Sequence, residues 1–189
     1  MRTLLFALAA AFAFAAPAYA ACDLTPVIGA RADARPSQDL MITLEIHNLG
    51  DTNCPGTIEA PPGASYMVDI FLSTDRNAPS TWAVYNATWR EDVLLRGGRV
   101  SRTHSVGPGV NVRYGAPSYE IGPFTLPSGV PPGDYFLCAG VDLGNRVAES
   151  NEHNNVACNP IQILPLLTID PRRVPRLPQP QPLPIPQPR

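Results

Sequence analysis

No lysine occurs in the 189 residues, so all 14 basic groups are arginines, and they are scattered among 16 acidic residues. A scattered, slightly acidic balance leaves no basic stripe for a phosphate backbone, which excludes nucleic acid as an expected partner. Histidine is almost as scarce, with only His47, His104 and His153, and the four cysteines never fall into C-x-x-C spacing. A zinc site and thioredoxin-type chemistry therefore lack their ligands and nucleophiles. Also missing are a G-x-S-x-G elbow and a complete glycine-rich phosphate loop. Gly107-Pro108-Gly109 has neither the third glycine nor a following helical pattern. Carboxylate pairs occur at Glu91-Asp92 and at Glu149/Glu152, but such pairs are ordinary on solvated turns. No enzyme class is indicated, and no catalytic residue is assigned.

Beyond the first twenty residues no apolar run is long enough to span a bilayer, and no window keeps a 3.6-residue apolar period. Those first twenty hold Arg2, an apolar run from Leu4 to Ala16 and an Ala18-Tyr19-Ala20 ending, the three parts of a secretory signal. Cleavage after Ala20 and a secreted or periplasmic location are expected. Cys22 lies two residues beyond that cut, so lipidation has to be weighed. Tyr19 stands where lipidation signals carry an aliphatic residue, which disfavours it. Removing residues 1–20 leaves 169 residues with 13 arginines against 16 acidic groups, a net charge of −3. That length suits one domain and a tail.

Short alternating stretches dominate the chain from there to Leu164. Leu40, Ile42, Leu44 and Ile46 alternate with Met41, Thr43, Glu45 and His47, and Tyr66, Val68, Ile70 and Leu72 repeat the pattern with Asp69 and Ser73 opposite. One buried and one wet face is the reading. Further strands are expected at Asp23 to Ala30, Thr81 to Tyr85, Val93 to Leu95, Val100 to His104, Tyr119 to Leu126, Asp134 to Asp142 and Val156 to Leu164. Gly97-Gly98, Pro127-Ser128-Gly129 and Pro131-Pro132-Gly133 read as turns between them. Ser105 to Pro117 reads as a long loop. Seven to nine short strands fit an all-β, immunoglobulin-like antiparallel sandwich of two sheets over residues 21–164. From Pro165 to Arg189 nine prolines in 25 residues preclude a core, so residues 165–189 are expected to be disordered or polyproline II.

Four cysteines in an exported chain imply two disulfides. Pairing of sequence neighbours is favoured: a turn near Ala34 to Gln38 folds Cys22 back toward Cys54, and a hairpin near Ala148 brings Cys158 back toward Cys138. If Leu137 and Val156 both point inward, however, Cys138 and Cys158 fall on opposite faces unless a bulge intervenes.

The stretch VDLGNRVAESNEHNN, Val141 to Asn155, joins the last two strand-like runs. Its asparagine side chains can bond nearby backbone and tolerate left-handed conformations. Asp142, Val147, Glu149, Ser150, Asn151, Glu152, Asn154 and Asn155 resemble the signature of the bacterial cell-adhesion-related domain family, CARDB. Leu44 to Gly50 (LEIHNLG) is similar to that family's V-x-N-x-G strand end, and Val68 to Asp75 (VDIFLSTD) to its FYLS-x-D strand. The resemblance covers Leu24 to Ile163 and implies an immunoglobulin-like extracellular module that serves many hosts. On it rests the expectation of a non-catalytic interaction or adhesion module engaging a protein or envelope component. Trp82, Tyr85 and Trp89 offer a second expectation, a carbohydrate-binding accessory module that stacks aromatic rings on a glycan. A structural envelope spacer, with the tail as its working part, is a third. Asp142, Glu149, Glu152 and the neighbouring asparagines supply hard oxygens that suit a weak calcium site. No other cofactor is expected.

Overall fold

A computed structural model describes residues 21–77, 79 and 91–166. Nine strands make up the regular structure there: β1 (Leu24–Gly29), β2 (Asp33–Ala34), β3 (Asp39–Asn48), β4 (Val68–Ser73), β5 (Asp92–Val100), β6 (Asn111–Arg113), β7 (Ile121–Thr125), β8 (Gly133–Val141) and β9 (Val156–Ile163). No helix occurs among the described residues. Residues 1–20, expected as a signal sequence, residues 78 and 80–90 with the expected strand at Thr81 to Tyr85 and the three aromatics, and residues 167–189 lie outside them.

β3 anchors the body. Ile42, Thr43 and Ile46 are β-branched, and the strict alternation buries Leu40, Ile42, Leu44 and Ile46 while the intervening side chains stay at least partly exposed. Against that apolar row pack Val68, Ile70 and Leu72 of β4, Leu137, Ala139 and Val141 of β8, and Ile161 and Ile163 of β9. Fully burying each of the valine, leucine and isoleucine side chains contributes roughly 1.5–3 kcal/mol, and this layer is the core.

The described strands form one hydrogen-bonded path, in the order β1-β3-β7-β5-β4-β8-β9-β2, with β6 pairing the far end of β3. Two separate sheets are not what the ladder shows. β5 links the halves because it changes partner partway along: Val93 and Leu94 face β4, Arg96 meets Thr125 of β7, and Arg99 returns to Asp69 of β4. Gly97-Gly98, expected as a turn, is the device inside the strand that permits this. Gly97 holds φ 79°, and a β-carbon on Gly98 would collide with the Ile70 and Leu95 carbonyls. One pair is parallel, β2 with β9, so the antiparallel expectation holds for all but that two-residue strand.

β4 departs from the one-wet-face reading. Asp69 and Ser73 are buried along with Phe71. Asp69 is tolerated there because both its oxygens accept from the Arg99 guanidinium, at 2.7 and 2.6 Å. The loop expected over Ser105 to Pro117 contains β6 and a bridge between Val106 and Cys54.

Disulfides join Cys22 to Cys54 and Cys138 to Cys158. The last two cysteines are direct cross-strand partners, with no bulge between them. The face argument fails at Val156, which pairs with Gly140 on the outward side. Ala157, Asn159, Ile161 and Ile163 are the residues of β9 that share a face with Leu137 and Tyr135.

Candidate functional site

Residues 142–155 connect β8 to β9, as their composition suggests, but they do more than turn the chain. Asp142 and Asn145 both take left-handed φ, 46° each, and the Asp142 carboxylate accepts from the Val147 amide at 2.7 Å. Asn151 caps locally, its Oδ1 accepting from the His153 amide at 3.1 Å, and Glu152 Oε1 accepts from the Glu149 amide at 3.0 Å. The side chains of Glu149 and Asn154 and the backbone of Ser150 and Asn154 reach residues 22–25 instead. One Glu149 oxygen accepts from the Leu24 amide and the other from Asn155 Nδ2 at 2.9 Å. Asn154 donates to Asp23 at 2.7 Å, and its carbonyl accepts from the Thr25 hydroxyl at 3.1 Å. The Ser150 amide donates to the Cys22 carbonyl at 2.8 Å.

The same amino-terminal strap is gripped from its other side by the end of β3. Asn48 is 1% exposed. Its Oδ1 accepts from the amides of Asp23 (3.2 Å) and Gly50 (2.9 Å), and its Nδ2 donates to the carbonyls of Thr52 (2.7 Å) and Val106 (2.8 Å). Every hydrogen-bonding capacity of the amide is used. Leu49 donates its amide to the Asp23 carbonyl at 2.7 Å. The N and G of the N-x-G strand end thus have separate tasks. Asn48 ties three segments together, and Gly50 lacks the β-carbon that would strike the Ala21 carbonyl.

These contacts also close the sheet's first edge. On the side of β1 away from β3, the Leu24 amide is taken by Glu149, Pro26 has no N–H, and the Ile28 carbonyl accepts from Asn159 Nδ2 at 2.8 Å. An edge treated this way offers an incoming strand few free groups. At the other end β2 covers Gln162 and Ile163 of β9, and Pro160 lacks a donor.

Burial raises the Glu149 carboxyl to about 7, more than the Leu24 and Asn155 hydrogen bonds lower it, with the nearby Glu152 and Asp142 charges adding to the rise. Asp142 is raised too, again chiefly by desolvation. For a carboxyl raised from 4.5, the folded state holds the extra proton, so the stabilisation is full below about 4.5 and is lost as pH climbs through about 7. Urea unfolding at pH 5 and pH 8 is expected to show the wild type losing roughly 1 kcal/mol over this range, the figure being discounted for solvent screening of the partly exposed side chain. Glu149→Gln should flatten that slope.

Asp142 and Glu149, expected as calcium ligands, already accept N–H groups, and among the described residues no group of three or more His, Cys, Asp or Glu is placed to hold a metal. Asn154 Oδ1 and Asn155 Oδ1 are buried without a hydrogen-bond partner. Trp82, Tyr85 and Trp89 lie outside the described residues.

An outward face that the motif search did not single out lies across β1, β3 and β6. Val27, Glu45 and Arg113 stand in one cross-strand row. Arg113 Nε meets Glu45 Oε1 at 2.6 Å, His47 Nε2 lies 3.2 Å from the other Glu45 oxygen, and the Arg113 guanidinium sits over the Tyr119 ring at 5.8 Å from its centroid. Val27, Met41 and Tyr119 are each nearly half exposed. Only the outward parity of Met41, Glu45 and His47 was available from sequence. Tyr119 and Arg113 come from a segment whose pairing has no local signal.

No family model matches the sequence, and no curated protein matches it. Among solved structures the chain is similar to the CARDB domain of a protein from Pyrococcus furiosus. Its solution structure shows 21% identity, with 76% of this chain and 95% of that one covered and a TM-score of 0.44. A crystal structure of the same domain, in complex with di-metal ions, shows 18% identity over 82% of this chain and all of that one, also at a TM-score of 0.44. A β-glucosidase from Erythrobacter marinus aligns with 76% of this chain but only 16% of its own length, at 17% identity and a TM-score of 0.33. The likeness is one of structure and is distant.

Proposed function

We propose that the chain is an exported, non-catalytic interaction module of a bacterial envelope or exterior, and that it engages a protein or other envelope component through the outward face of β1, β3 and β6. The carrying observation is that face: three large apolar side chains, Val27, Met41 and Tyr119, left exposed around an ordered Glu45–Arg113–His47 set. Exposed aromatic and arginine groups beside apolar ones are the composition of binding hot spots. Support for the module reading comes from the resemblance of residues 142–155, and support for export from two disulfides and the signal-like first twenty residues. No helix of the described residues is long and apolar enough to cross a membrane. Strand addition at β1 is disfavoured because the Leu24 amide and the Ile28 carbonyl on its open edge are taken and Pro26 has no N–H to offer.

Capture of an envelope component by the immobilised processed chain is expected to fall at least tenfold in a Val27→Glu/Tyr119→Ala variant whose circular dichroism and melting temperature match the wild type. Equal capture by the two would refute the assignment of the face. Glycan-array binding abolished by Trp82→Ala would favour the carbohydrate-binding module instead. Function that survives exchange of the domain but fails on deletion of residues 165–189 would favour the spacer.

A further inference from the structure

Residues 21–23 are held through hydrogen bonds at each position, and the most amino-terminal of these contacts is a two-point clamp. The Ala21 nitrogen donates to Asp51 Oδ1 at 2.8 Å, and the Asp51 amide donates back to the Ala21 carbonyl at 3.1 Å. The Asp23 amide and carbonyl are held by Asn48 and Leu49, and the Cys22 carbonyl by Ser150. The Ala21 nitrogen therefore lies within hydrogen-bond distance of an exposed carboxylate, a placement that would match an α-ammonium group in charge as well as in geometry. Ala21 is also the residue that follows Ala18-Tyr19-Ala20.

We propose that Ala21 is the mature amino terminus and that Asp51 is the acceptor built for its α-ammonium group, so that export processing completes an ion pair on the folded domain. This rests on the export part of the proposed function and not on the interaction face. Hydrolysis of the Ala20–Ala21 bond by an export peptidase consumes one water. The carboxylate stays on Ala20, and the amine released on Ala21 takes up a proton at neutral pH. Cys22 is not a lipid acceptor on this account. Its sulfur is bonded to Cys54 and the residue is buried, which leaves no thiol to form a thioether. A lipid-directed cut would also remove Ala21 and with it the partner of Asp51.

The absence of lysine makes the test direct, because after processing the α-amino group is the chain's one primary amine. The other acidic groups that touch the strap are already engaged: Asp23 accepts from Asn154, and Glu149 from Leu24 and Asn155. The full chain is exported from a bacterial host, and the purified product is weighed intact and then reductively methylated with 13C-formaldehyde so that its single dimethylamine can be titrated by NMR. The expected mass is that of residues 21–189 with two disulfides and no acyl group. The expected titration midpoint lies about half a unit above that of the Asp51→Asn variant at low salt, the order for an exposed ion pair, and the gap shrinks in 1 M salt. A lipid-bearing or differently cut product overturns the proposal, as does a midpoint unchanged by Asp51→Asn or by salt. If that variant does not fold, the salt dependence of the wild type decides alone. Loss of partner capture with the mass and titration as expected would sink only the interaction face.

Discussion

Asn48→Asp, at a buried position where β3 ends, is expected to destabilise the domain by about 4 kcal/mol. The change is nearly isosteric, so packing is kept and only the amide's donors are lost. Thr52 and Val106 then present carbonyl oxygens, at 2.7 and 2.8 Å, to a carboxylate that repels them. Each buried acceptor left unpaired costs roughly 1–3 kcal/mol, and burying the new charge adds to that. Protonation at acid pH returns one donor, so the deficit should narrow below about pH 5. Asn48→Ala, which drops all four hydrogen bonds but introduces no charge, is expected to lose about 3 kcal/mol. Urea denaturation of the three proteins measures these differences. A cost under 1 kcal/mol for Asn48→Asp would mean that the side chain does not join the strap, the β3 end and Val106.

Removing the Cys22–Cys54 bond is the second large effect. The pair closes a chain separation of 32 residues, and the chain-entropy account then puts the loss at roughly 3–4 kcal/mol. A Cys22→Ala/Cys54→Ala protein should melt on the order of 10 °C lower. Cys138→Ala/Cys158→Ala, with a separation of 20, should lose about 3 kcal/mol. The two variants differ in where they loosen. β8 and β9 keep an eight-residue ladder without their disulfide, whereas the strap at residues 21–23 depends on side chains and single amides. The first variant should therefore expose Leu24 and Ser150 to fast amide exchange, and the second should not. Calorimetry with exchange readout tests both, and equal melting temperatures for wild type and the Cys22→Ala/Cys54→Ala protein would contradict this reading.

Local patterns carried the sequence reading as far as local patterns reach. The alternation of Leu40 to His47 marked β3 and its inner face, and the asparagine-rich stretch marked the link between β8 and β9. What escaped was non-local. Asp69 and Ser73 looked like wet-face residues because alternation says nothing about what covers a strand's second side. Val156 looked inward because it is apolar, while the polar Asn159 occupies the inward parity and spends its amide on Ile28. Glu149 and Asn154 were visible as members of a motif, but their partners Leu24 and Asp23 lie 125 and 131 positions away. Gly97-Gly98 was read as punctuation because a glycine pair signals turns far more often than a strand that changes partner. β2 and β6, of two and three residues, leave no periodic trace.

Amide hydrogen exchange at Leu24, Leu49 and Ser150 tests most directly whether the 142–155 connection and the β3 end together clamp the amino-terminal strap. Protection within about tenfold of the β3 and β8 core amides at all three positions, falling together in Asn48→Asp and at Leu24 in Glu149→Gln, is the expected result. Exchange of these three amides at the rate of an open loop, while the core strands stay protected, would contradict it.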